Sequence, residues 1–326
     1  MNILEDLTII IPTYNREKRL KKTLENLKSL KRKLKIKILD NNSTMYDIEA
    51  MLINYQNYFD LQLIRNKENI ERIGNFNRCF LECDTKWMWL LSDDDEVLKE
   101  ALYNIEQEIL INPSVGLIKF SIEGIGNQGE EKEEIVESIE EFIDHYYYDE
   151  VSKGGQMVFI SNNIFNIEQL KEYYSDMYHY SYIQIPYLVP VFKGLSYRKI
   201  KVKFSNKKIV KYIPPDGDHW DVLKVCLGVS TISHLPLNLD KKYLKKFIKI
   251  FNWISLEWLF KSILKNKNKN GSYYFGLLYN SLYKYHLSFK DKLKYPLYKF
   301  FIYLNENTRI NFYEVLKKIK VSLKVK

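Results

Sequence analysis

The sequence predicts an α/β protein in which a mostly parallel sheet flanked by helices is followed by a basic helical region. Short apolar runs alternate with helical patterns from the start of the chain, which is typical of repeated strand–helix–strand units. The charge also divides sharply. The stretch from Asp240 to Lys326 has 20 Lys and Arg against 5 Asp and Glu, whereas the residues before it have 30 against 36. The hydrophobic fraction of 46% and the charged fraction of 28% are typical of a folded globular chain.

The first 115 residues contain four predicted strands with helices between them. "LTIII" is β-rich and unbroken, as a strand buried on both faces should be, and Pro12 is expected to end it. Leucines at 20, 24, 27 and 30 then repeat at helical spacing. "IKIL", "LQLI" and "WMWLL" are the next strands, and a helix over about 70–83 precedes the last of them. The residues expected on the buried side of that helix are Ile70, Ile73, Phe80 and Leu81.

Beyond residue 96 the pattern continues with a helix near 97–110 and a strand at "VGLIKFSI". The acidic stretch 130–150 fits either a solvated amphipathic helix or an excursion from the sheet. "MVFISNNIFN" predicts a return to strand, and "YRKIKVKFSNKKIVKYI" predicts a hairpin with its turn at Ser205 and Asn206. After Asp240 the pattern is helical to the end, interrupted by the polar loop "NKNKNGS".

Three consecutive carboxylates, Asp93, Asp94 and Asp95, directly follow the apolar strand "WMWLL". Ligands of open parallel sheets bind outside the carboxyl ends of the strands. Three carboxylates crowded there repel one another unless a positive group lies between them, and Mg²⁺ or Mn²⁺ held with diphosphate oxygens would supply that charge. The alternative interpretation is an acidic helix N-terminus, which the helix dipole favours.

Three further segments carry polar groups at the same predicted edge of the sheet. "IIIPTYNR" turns after the first strand and exposes a Tyr ring and backbone groups, which suits either a nucleobase pocket or an ordinary strand-to-helix turn. Asp40 ends the second strand, where it can accept hydrogen bonds from a base or a ribose hydroxyl, or cap a helix. Gly74, inside a predicted helix, indicates close approach by a ligand or by packed backbone.

Taken together and in order, "IIIPTYNR", "LDNNST", "NIERIGNFNRCF" and "WMWLLSDDDE" resemble the successive motifs of glycosyltransferase family 2 over about the first 115 residues. The run "GNFNRCF…WMWLLSDDDE" is most similar to the abequosyltransferase-like branch, which acts in surface polysaccharide synthesis. The resemblance implies a GT-A fold, a Rossmann-like and mostly parallel sheet flanked by helices. Together with the charge division, it predicts a catalytic domain over 1–239, with a nucleotide-sugar-binding half (1–115) and an acceptor-side half (116–239), before the basic region 240–326.

The resemblance also implies roles for individual residues. Asp93 and Asp95 form the Asp-X-Asp metal site, with Asp93 approaching the ribose or the metal and Asp95 ligating the metal. The donor itself is expected to meet a larger set of residues. These are Pro12, Thr13, Tyr14, Asn15, Asp40, Gly74, Asn77, Asp93 and Asp94.

The chain departs from the family pattern at two places. Many members have an Arg just before the Asn of the donor-side helix, where this chain has Phe76, so Arg72 or Arg78 is expected to supply that contact. The Glu-Asp pair whose Asp acts as general base has no clear counterpart. Asp176 and His179 are the titratable candidates in the matching stretch, with a hydrogen-bonded structural His as the alternative. His219, in "PPDGDHWD", is a third candidate, either near the metal and diphosphate or in a polar surface turn.

The basic region begins with an amphipathic helix, because Phe247, Phe251 and Trp258 fall on one side and the lysines on the other. This helix can pack on the catalytic domain, form a homo-oligomer interface, or lie on an anionic membrane surface. A nucleic-acid role is not expected, because no recognisable motif accompanies the charge. The N-terminus lacks signal-peptide features and the three cysteines lack a zinc pattern. We therefore expect reduced thiols in a cytoplasmic protein, peripheral on the inner face of the cell membrane if the helix binds lipid.

The expected function is transfer of a hexosyl or deoxyhexosyl group from a nucleoside diphosphate sugar to a hydroxyl of a glycan or lipid-linked acceptor, with Mn²⁺ or Mg²⁺ and inversion at the anomeric carbon. Inversion is implied by the resemblance alone. One alternative is a nucleotidyltransferase, although "PTYNREKR" lacks the glycine-rich phosphate loop common in that class. A second alternative is a non-catalytic glycan- or membrane-binding protein on a decayed transferase fold. The intact Asp triplet argues against decay, and the missing Glu-Asp pair argues for it.

Overall fold

The computed structural model describes residues 3–124, 130–148, 151–213, 231–250, 271–278 and 289–303, together with the single positions 228, 260, 308 and 311. The chain divides into two compact units, Met1–His219 and Trp220–Lys326. The boundary expected from the charge pattern, between residues 239 and 240, lies further along the chain and stays a prediction.

The first unit is built on a mixed sheet. Its strands are β1 (Leu7–Thr13), β2 (Lys35–Asp40), β3 (Asp60–Arg65), β4 (Trp87–Leu90), β5 (Glu96–Val97), β6 (Leu117–Glu123), β7 (Glu134–Val136), β10 (Asn163–Asn166) and β11 (Val202–Lys211), while β8 (Tyr147–Tyr148) and β9 (Val151–Ser152) form a separate two-stranded sheet. The main order is β3-β2-β1-β4-β10-β6-β11-β5, with β7 beside β11. Strands β1 to β4 are mutually parallel, and β10 is antiparallel to both of its neighbours.

Helices flank this sheet, which confirms the α/β class. They are α1 (Glu17–Ser29), α2 (Ile48–Leu52), α3 (Glu71–Glu82), α4 (Ala101–Ile111), α5 (Ile139–Tyr146), α6 (Gly154–Met157), α7 (Ile167–Leu170), α8 (Tyr174–His179) and α9 (Val189–Ser196). The chain runs from β1 outward through β2 to β3 and then returns to place β4 on the other side of β1. The order of strands therefore reverses between β1 and β4, which is where open α/β sheets bind ligands.

Pro12 does not end the first strand as expected. Strand β1 continues to Thr13 because Pro12 pairs with Leu39, and all seven of its residues are buried. The carbonyl of Thr13 accepts from the β2 side, at Asn41, and that of Ile10 accepts from the β4 side, at Leu91. Backbone groups of successive residues in a strand face opposite neighbours, so the nitrogen of Pro12, which carries no hydrogen, faces β4. The β1–β4 ladder already ends at Ile10, so the proline removes no ladder bond.

The buried side of α3 differs from the expected one. Ile70, just before the helix, and Leu81 are exposed, whereas Asn75, Asn77, Cys79 and Phe80 are buried. The helix therefore turns two amide side chains inward where the hydrophobic pattern predicted aliphatic ones. Only the expectation for Phe80 is confirmed among these positions.

The predicted hairpin around Ser205 and Asn206 is wrong, because β11 is one ten-residue strand lying parallel to β6. Its register shifts between Ser205 and Lys208, where the strand bulges. The buried carboxylate of Glu108 organises the bulge. It accepts a hydrogen bond from the Ser205 hydroxyl at 2.9 Å and pairs with Lys207 at 3.0 Å. The polar "SNKK" run thus contacts the buried carboxylate of Glu108 on α4 and does not form a hairpin turn.

The acidic stretch is packed into the first unit and contains β7 and α5. Strand β7 pairs with β11, and α5 buries Ile139, Phe142, Ile143 and Tyr146. Within the stretch predicted as a strand, "MVFISNNIFN", only Asn163–Asn166 is strand. Met157 ends a short helix (Gly154–Met157), and residues 158–162 form an irregular turn.

After Asp240 the described helices are α10 (Lys241–Lys249), α11 (Gly271–Leu278) and α12 (Phe289–Tyr303), in agreement with the helical pattern predicted there. The side chain of Asp240 caps α10 by accepting from the backbone N–H of Tyr243. Phe247 and Ile248 are buried in α10, whereas Phe251 and Trp258 lie outside the described residues. None of the helices described has both the length and the apolar character needed to cross a membrane.

Candidate functional site

The acidic triplet lies in the turn that joins β4 to β5, beside the end of β1. Asp93 is 2% exposed, and both of its carboxylate oxygens are occupied. The Thr13 hydroxyl donates to Oδ2 at 2.7 Å, and the Arg16 guanidinium donates to Oδ1 at 2.8 Å. The hydroxyl of Thr23, on α1, donates to the backbone carbonyl of Asp93 at 3.0 Å. Burial raises the pKa of Asp93, and the charge of Arg16 opposes that rise.

Asp94 points toward the first turn of α1. Its carboxylate accepts from Arg19 at 2.8 Å, from Arg16 at 3.3 Å, and from the Ser92 hydroxyl. Two arginines three residues apart on one helix turn therefore neutralise the first two carboxylates of the triplet.

Asp95 is held differently from its two neighbours. The Ser161 hydroxyl donates to its Oδ2 at 2.5 Å, and within the described residues no basic side chain pairs with it. Burial raises the pKa of Asp95 to about 7, and repulsion from Asp94 and Asp93 adds to the effect. A buried carboxylate without a cation is unfavourable as an anion. A divalent metal fits this position because it would supply the missing charge.

The protein supplies only part of a metal site. Among the described residues, no group of three or more His, Cys, Asp or Glu is arranged to hold a metal ion. Both carboxylate oxygens of Asp93, the other expected ligand, already accept hydrogen bonds, one from Thr13 and one from Arg16.

The turns after β1 and β2 are joined by side-chain hydrogen bonds. Asp40 is fully buried and accepts from the backbone N–H of Ser43 at 3.0 Å and from its hydroxyl at 2.5 Å, and Arg65 lies 3.3 Å away. The Ser43 hydroxyl in turn accepts from the backbone N–H of Asn15 at 2.8 Å. Asn15 has a left-handed backbone (φ 53°), and its side-chain oxygen accepts from the backbone N–H groups of residues 44 and 45.

These bonds place the residues expected at the nucleoside pocket around one edge of the sheet. Pro12 and Thr13 are buried at the end of β1, and Tyr14 is 41% exposed beside them. Asp40 holds the turn that follows its own strand and caps no helix, because the N-cap of α2 is Asp47. Its expected contact with the donor stays a prediction.

A cluster of asparagines below this edge was missed by the sequence analysis. The Asn66 amide donates to Asn41 at 2.8 Å and to Asn75 at 2.9 Å, and Asn75 donates to the carbonyl of Leu39 at 3.0 Å. Asn69 accepts from Asn41 at 2.7 Å. The signal available in the sequence was the recurrence of Asn just after the second and third strands.

Helix α3 is hydrogen-bonded to the segment after α8. The Asn77 amide donates to the Ser181 hydroxyl at 2.7 Å, and Arg72 donates to the side chain of Gln184 at 3.2 Å. Gln184 has a left-handed backbone (φ 67°), which its neighbours must stabilise. Asn77, expected beside the donor, therefore bonds through its amide nitrogen to the segment after α8.

The two arginines that could replace the family's Arg have different contacts in the structure. Arg78 pairs with Glu82 at 3.1 Å and also contacts Asn66, so it is engaged on its own helix and on the asparagine cluster. Arg72 is coupled electrostatically to Arg16, which lowers the pKa of Arg72 together with the larger effect of burial. Arg72 contacts Gln184 and the Phe76 ring, and its expected contact with the donor stays a prediction. A Cβ added to Gly74 would come within 3.2 Å of the Ile70 side chain, which is a tight contact, and the expected approach of the donor to Gly74 stays a prediction.

The base candidates lie on α8, apart from the triplet's contacts. Asp176 is 3.7 Å from Lys193 of α9. His179 is exposed, and its ring packs edge-on against Tyr180 with 4.7 Å between centroids. Within the described residues, neither side chain hydrogen-bonds to the aspartate triplet. His219 lies outside the described residues.

A mixed sheet flanked by helices, with an acidic turn at the point where the strand order reverses, matches the GT-A fold. The chain belongs to glycosyl transferase family 2, whose family model matches residues 8–201. A search of curated protein sequences gives no match.

Solved structures with the same fold include S. aureus TarS 1-349, at 15% identity and a TM-score of 0.60 over 97% of this chain and 91% of that chain. The complex of TarS 1-349 with UDP-GlcNAc gives a TM-score of 0.61 at 15% identity, over 97% and 92% of the two chains. S. aureus TarS at greater length gives 0.54 at 14% identity, and the match covers 90% of this chain and 55% of that one. At these identities the likeness establishes the fold.

Proposed function

We propose that this family 2 glycosyltransferase moves a hexosyl or deoxyhexosyl group from a nucleoside diphosphate sugar to a hydroxyl of a glycan or lipid-linked acceptor in surface polysaccharide synthesis, with inversion. The observation that carries the proposal is Asp95, a buried carboxylate at the strand-reversal edge that has no cationic partner among the described residues. A group held in this state is unfavourable for folding and therefore indicates a site built for a ligand.

A divalent metal bound at Asp95 would supply positive charge near the departing diphosphate. The protein's own contribution is positioning. Ser161 fixes the direction of the Asp95 carboxylate, and Arg16 and Thr13 fix Asp93 beside it. Asp40 and the turn bearing Tyr14 form the edge on which the nucleoside would rest.

Acceptor activation requires a general base that takes the proton of the attacking hydroxyl. Asp176 and His179 are the described candidates, and we favour His179 because it is exposed and does not pair with a cation among the described residues. Changing His179 to Ala is expected to lower turnover strongly with little change in donor binding, since the base acts on the acceptor proton in the transition state. Loss of turnover in Asp176→Asn with normal turnover in His179→Ala would transfer the role to Asp176. If both variants turn over normally, the base is neither of them, and His219 is examined next.

The decisive experiment measures nucleotide release from UDP-, CDP-, GDP- and dTDP-sugars with and without Mn²⁺. UDP-GlcNAc is the first donor to try, because TarS, which shares the fold, has been solved with it. We expect release from at least one donor, dependent on Mn²⁺ and lost in Asp95→Asn. Asp60→Asn is the matched control, because Asp60 is exposed and begins β3 at the opposite edge of the same sheet. Mn²⁺-independent release, or equal release from the Asp95 variant, would reject the metal assignment.

The same panel separates the alternative functions. Release of pyrophosphate from a nucleoside triphosphate and a sugar phosphate would indicate a nucleotidyltransferase. Absence of release from every donor, with retained binding to glycans or vesicles, would indicate a non-catalytic binding protein. We further propose that the basic region brings the enzyme to an anionic membrane surface by electrostatic attraction, because the lysines of α10 lie away from its buried residues Phe247 and Ile248.

A further inference from the structure

The acidic turn contains its own counter-charges. Arg16 donates to Asp93 at 2.8 Å and to Asp94 at 3.3 Å through the same nitrogen, and Arg19 donates to Asp94 at 2.8 Å. Three carboxylates therefore face two guanidinium groups, and only Asp95 is left without a cation among the described residues.

This arrangement is fixed by the local fold. The left-handed backbone of Asn15, held by its bonds to the turn after β2, sets the direction in which the chain enters α1. Arg16 precedes the helix and Arg19 follows in its first turn, so both side chains reach the same acidic turn. The side chain of Arg16 is 31% exposed, and its partner Asp93 is almost fully buried.

We propose that Arg16 and Arg19 are internal counter-cations that keep divalent ions out of the free protein, so that the metal binds together with the nucleoside diphosphate. Three bare carboxylates would attract Mn²⁺ or Mg²⁺ strongly, but two of them are already neutralised. A single carboxylate leaves most coordination positions of such an ion to water, and these ions prefer to complete their shells with phosphate oxygens. The proposal rests on the proposed function for the donor, whereas its test uses the metal alone.

The experiment titrates Mn²⁺ into the nucleotide-free protein by calorimetry, with the electron paramagnetic resonance signal of free Mn²⁺ as a second readout. The wild type is expected to bind Mn²⁺ in the millimolar range or more weakly. Arg16→Gln is expected to bind at least tenfold more tightly, because it leaves Asp93 and part of Asp94 without a cation. Arg19→Gln should show a smaller gain, and Arg16→Lys, which keeps the charge, should resemble the wild type.

Arg32→Gln is the matched control, since Arg32 pairs with Glu106, away from the triplet, at 3.0 Å. If Arg16→Gln does not fold, Arg19→Gln decides the question, because Arg19 does not pair with the buried Asp93. Equal Mn²⁺ affinity in the wild type and the Gln variants, or weaker affinity in the variants, would overturn the proposal. Nucleotide release is measured separately. A wild type that releases no nucleotide from any donor would count against the proposed function and would leave the Mn²⁺ comparison intact.

Discussion

Lys119 provides the sharpest test of how the fold supports the site. This lysine of β6 is fully buried, and its ammonium group donates to the side-chain oxygens of Asn162 at 3.0 Å and Asn163 at 2.8 Å and to the carbonyl of Phe159 at 3.5 Å. All three acceptors are neutral. Burial lowers the pKa of Lys119 from 10.5 to about 7, and the more distant charge of Glu131 opposes the shift.

The sign of the pH dependence follows from this shift. Between pH 7 and 10.5 the unfolded chain keeps the proton on Lys119, while the folded protein loses it. Stability must therefore rise with pH in this window, by up to about 1.4 kcal/mol per pH unit for one proton. Lys119→Met has no proton to lose, so its stability should rise less steeply by that amount. Over the whole shift the difference amounts to roughly 5 kcal/mol.

The assay is urea unfolding of the wild type and Lys119→Met at pH 6.5, 7.5 and 8.5. Tryptophan fluorescence is a suitable signal because Trp89, buried in β4, donates to the carbonyl of Ser161, in the turn that also contains the Lys119 partner Asn162. The difference in unfolding free energy between the two proteins removes the contribution of other titrating groups. Lys201→Met, a surface substitution, gives the background slope. Parallel slopes for the wild type and Lys119→Met would refute the reasoning.

Four further outcomes are expected. Asp95→Asn should raise stability at pH 8 by about 1–4 kcal/mol while abolishing metal-dependent release, because it removes a buried uncompensated charge; thermal unfolding and the donor assay measure both effects. Asp40→Asn should weaken nucleotide binding by about 1–3 kcal/mol in calorimetry, and Asp47→Asn at the cap of α2 should not. Glu131→Gln should cost about 1–3 kcal/mol in urea unfolding, because the buried Glu131 carboxylate is hydrogen-bonded to His145 at 2.6 Å and to Tyr146 at 3.1 Å. Converting the α10 lysines 242, 245, 246 and 249 to Gln should reduce salt-sensitive co-sedimentation with anionic vesicles without stopping donor hydrolysis; equal binding to neutral vesicles would contradict this.

The sequence was sufficient for the parts of the fold that depend on short-range pattern. Strands β1 to β4 were found because each is a compact apolar run, and the acidic turn was found because it directly follows one of them. Tertiary contacts decided the remainder. The bulge of β11 depends on Glu108, a carboxylate nearly a hundred residues earlier, and no local pattern distinguishes that polar run from a hairpin turn.

In the candidate site, too, local sequence pattern predicted some features and tertiary contacts decided the others. The motifs located Asp93, Asp94 and Asp95 but could not show that Arg16 and Arg19 neutralise the first two, because that pairing depends on how α1 leaves β1. The inward amides of α3 were missed for a related reason. Hydrophobic periodicity assumes that a buried face is apolar, and here Asn75 is bonded to Asn66 and Asn77 to Ser181.

The two least compensated charges of this region are held by consecutive residues of one turn. Ser161 holds the carboxylate of Asp95 through its hydroxyl, and Asn162 holds the ammonium group of Lys119 through its amide oxygen. Each charged group is thus hydrogen-bonded to a neutral polar side chain. That side chain orients the charged group without cancelling its charge. Because the same turn is also fixed by Trp89, loss of Lys119 should disturb the direction of Asp95 as well as lowering the number of buried hydrogen bonds. We therefore expect Lys119→Met to weaken metal-dependent nucleotide binding at temperatures where the protein remains folded.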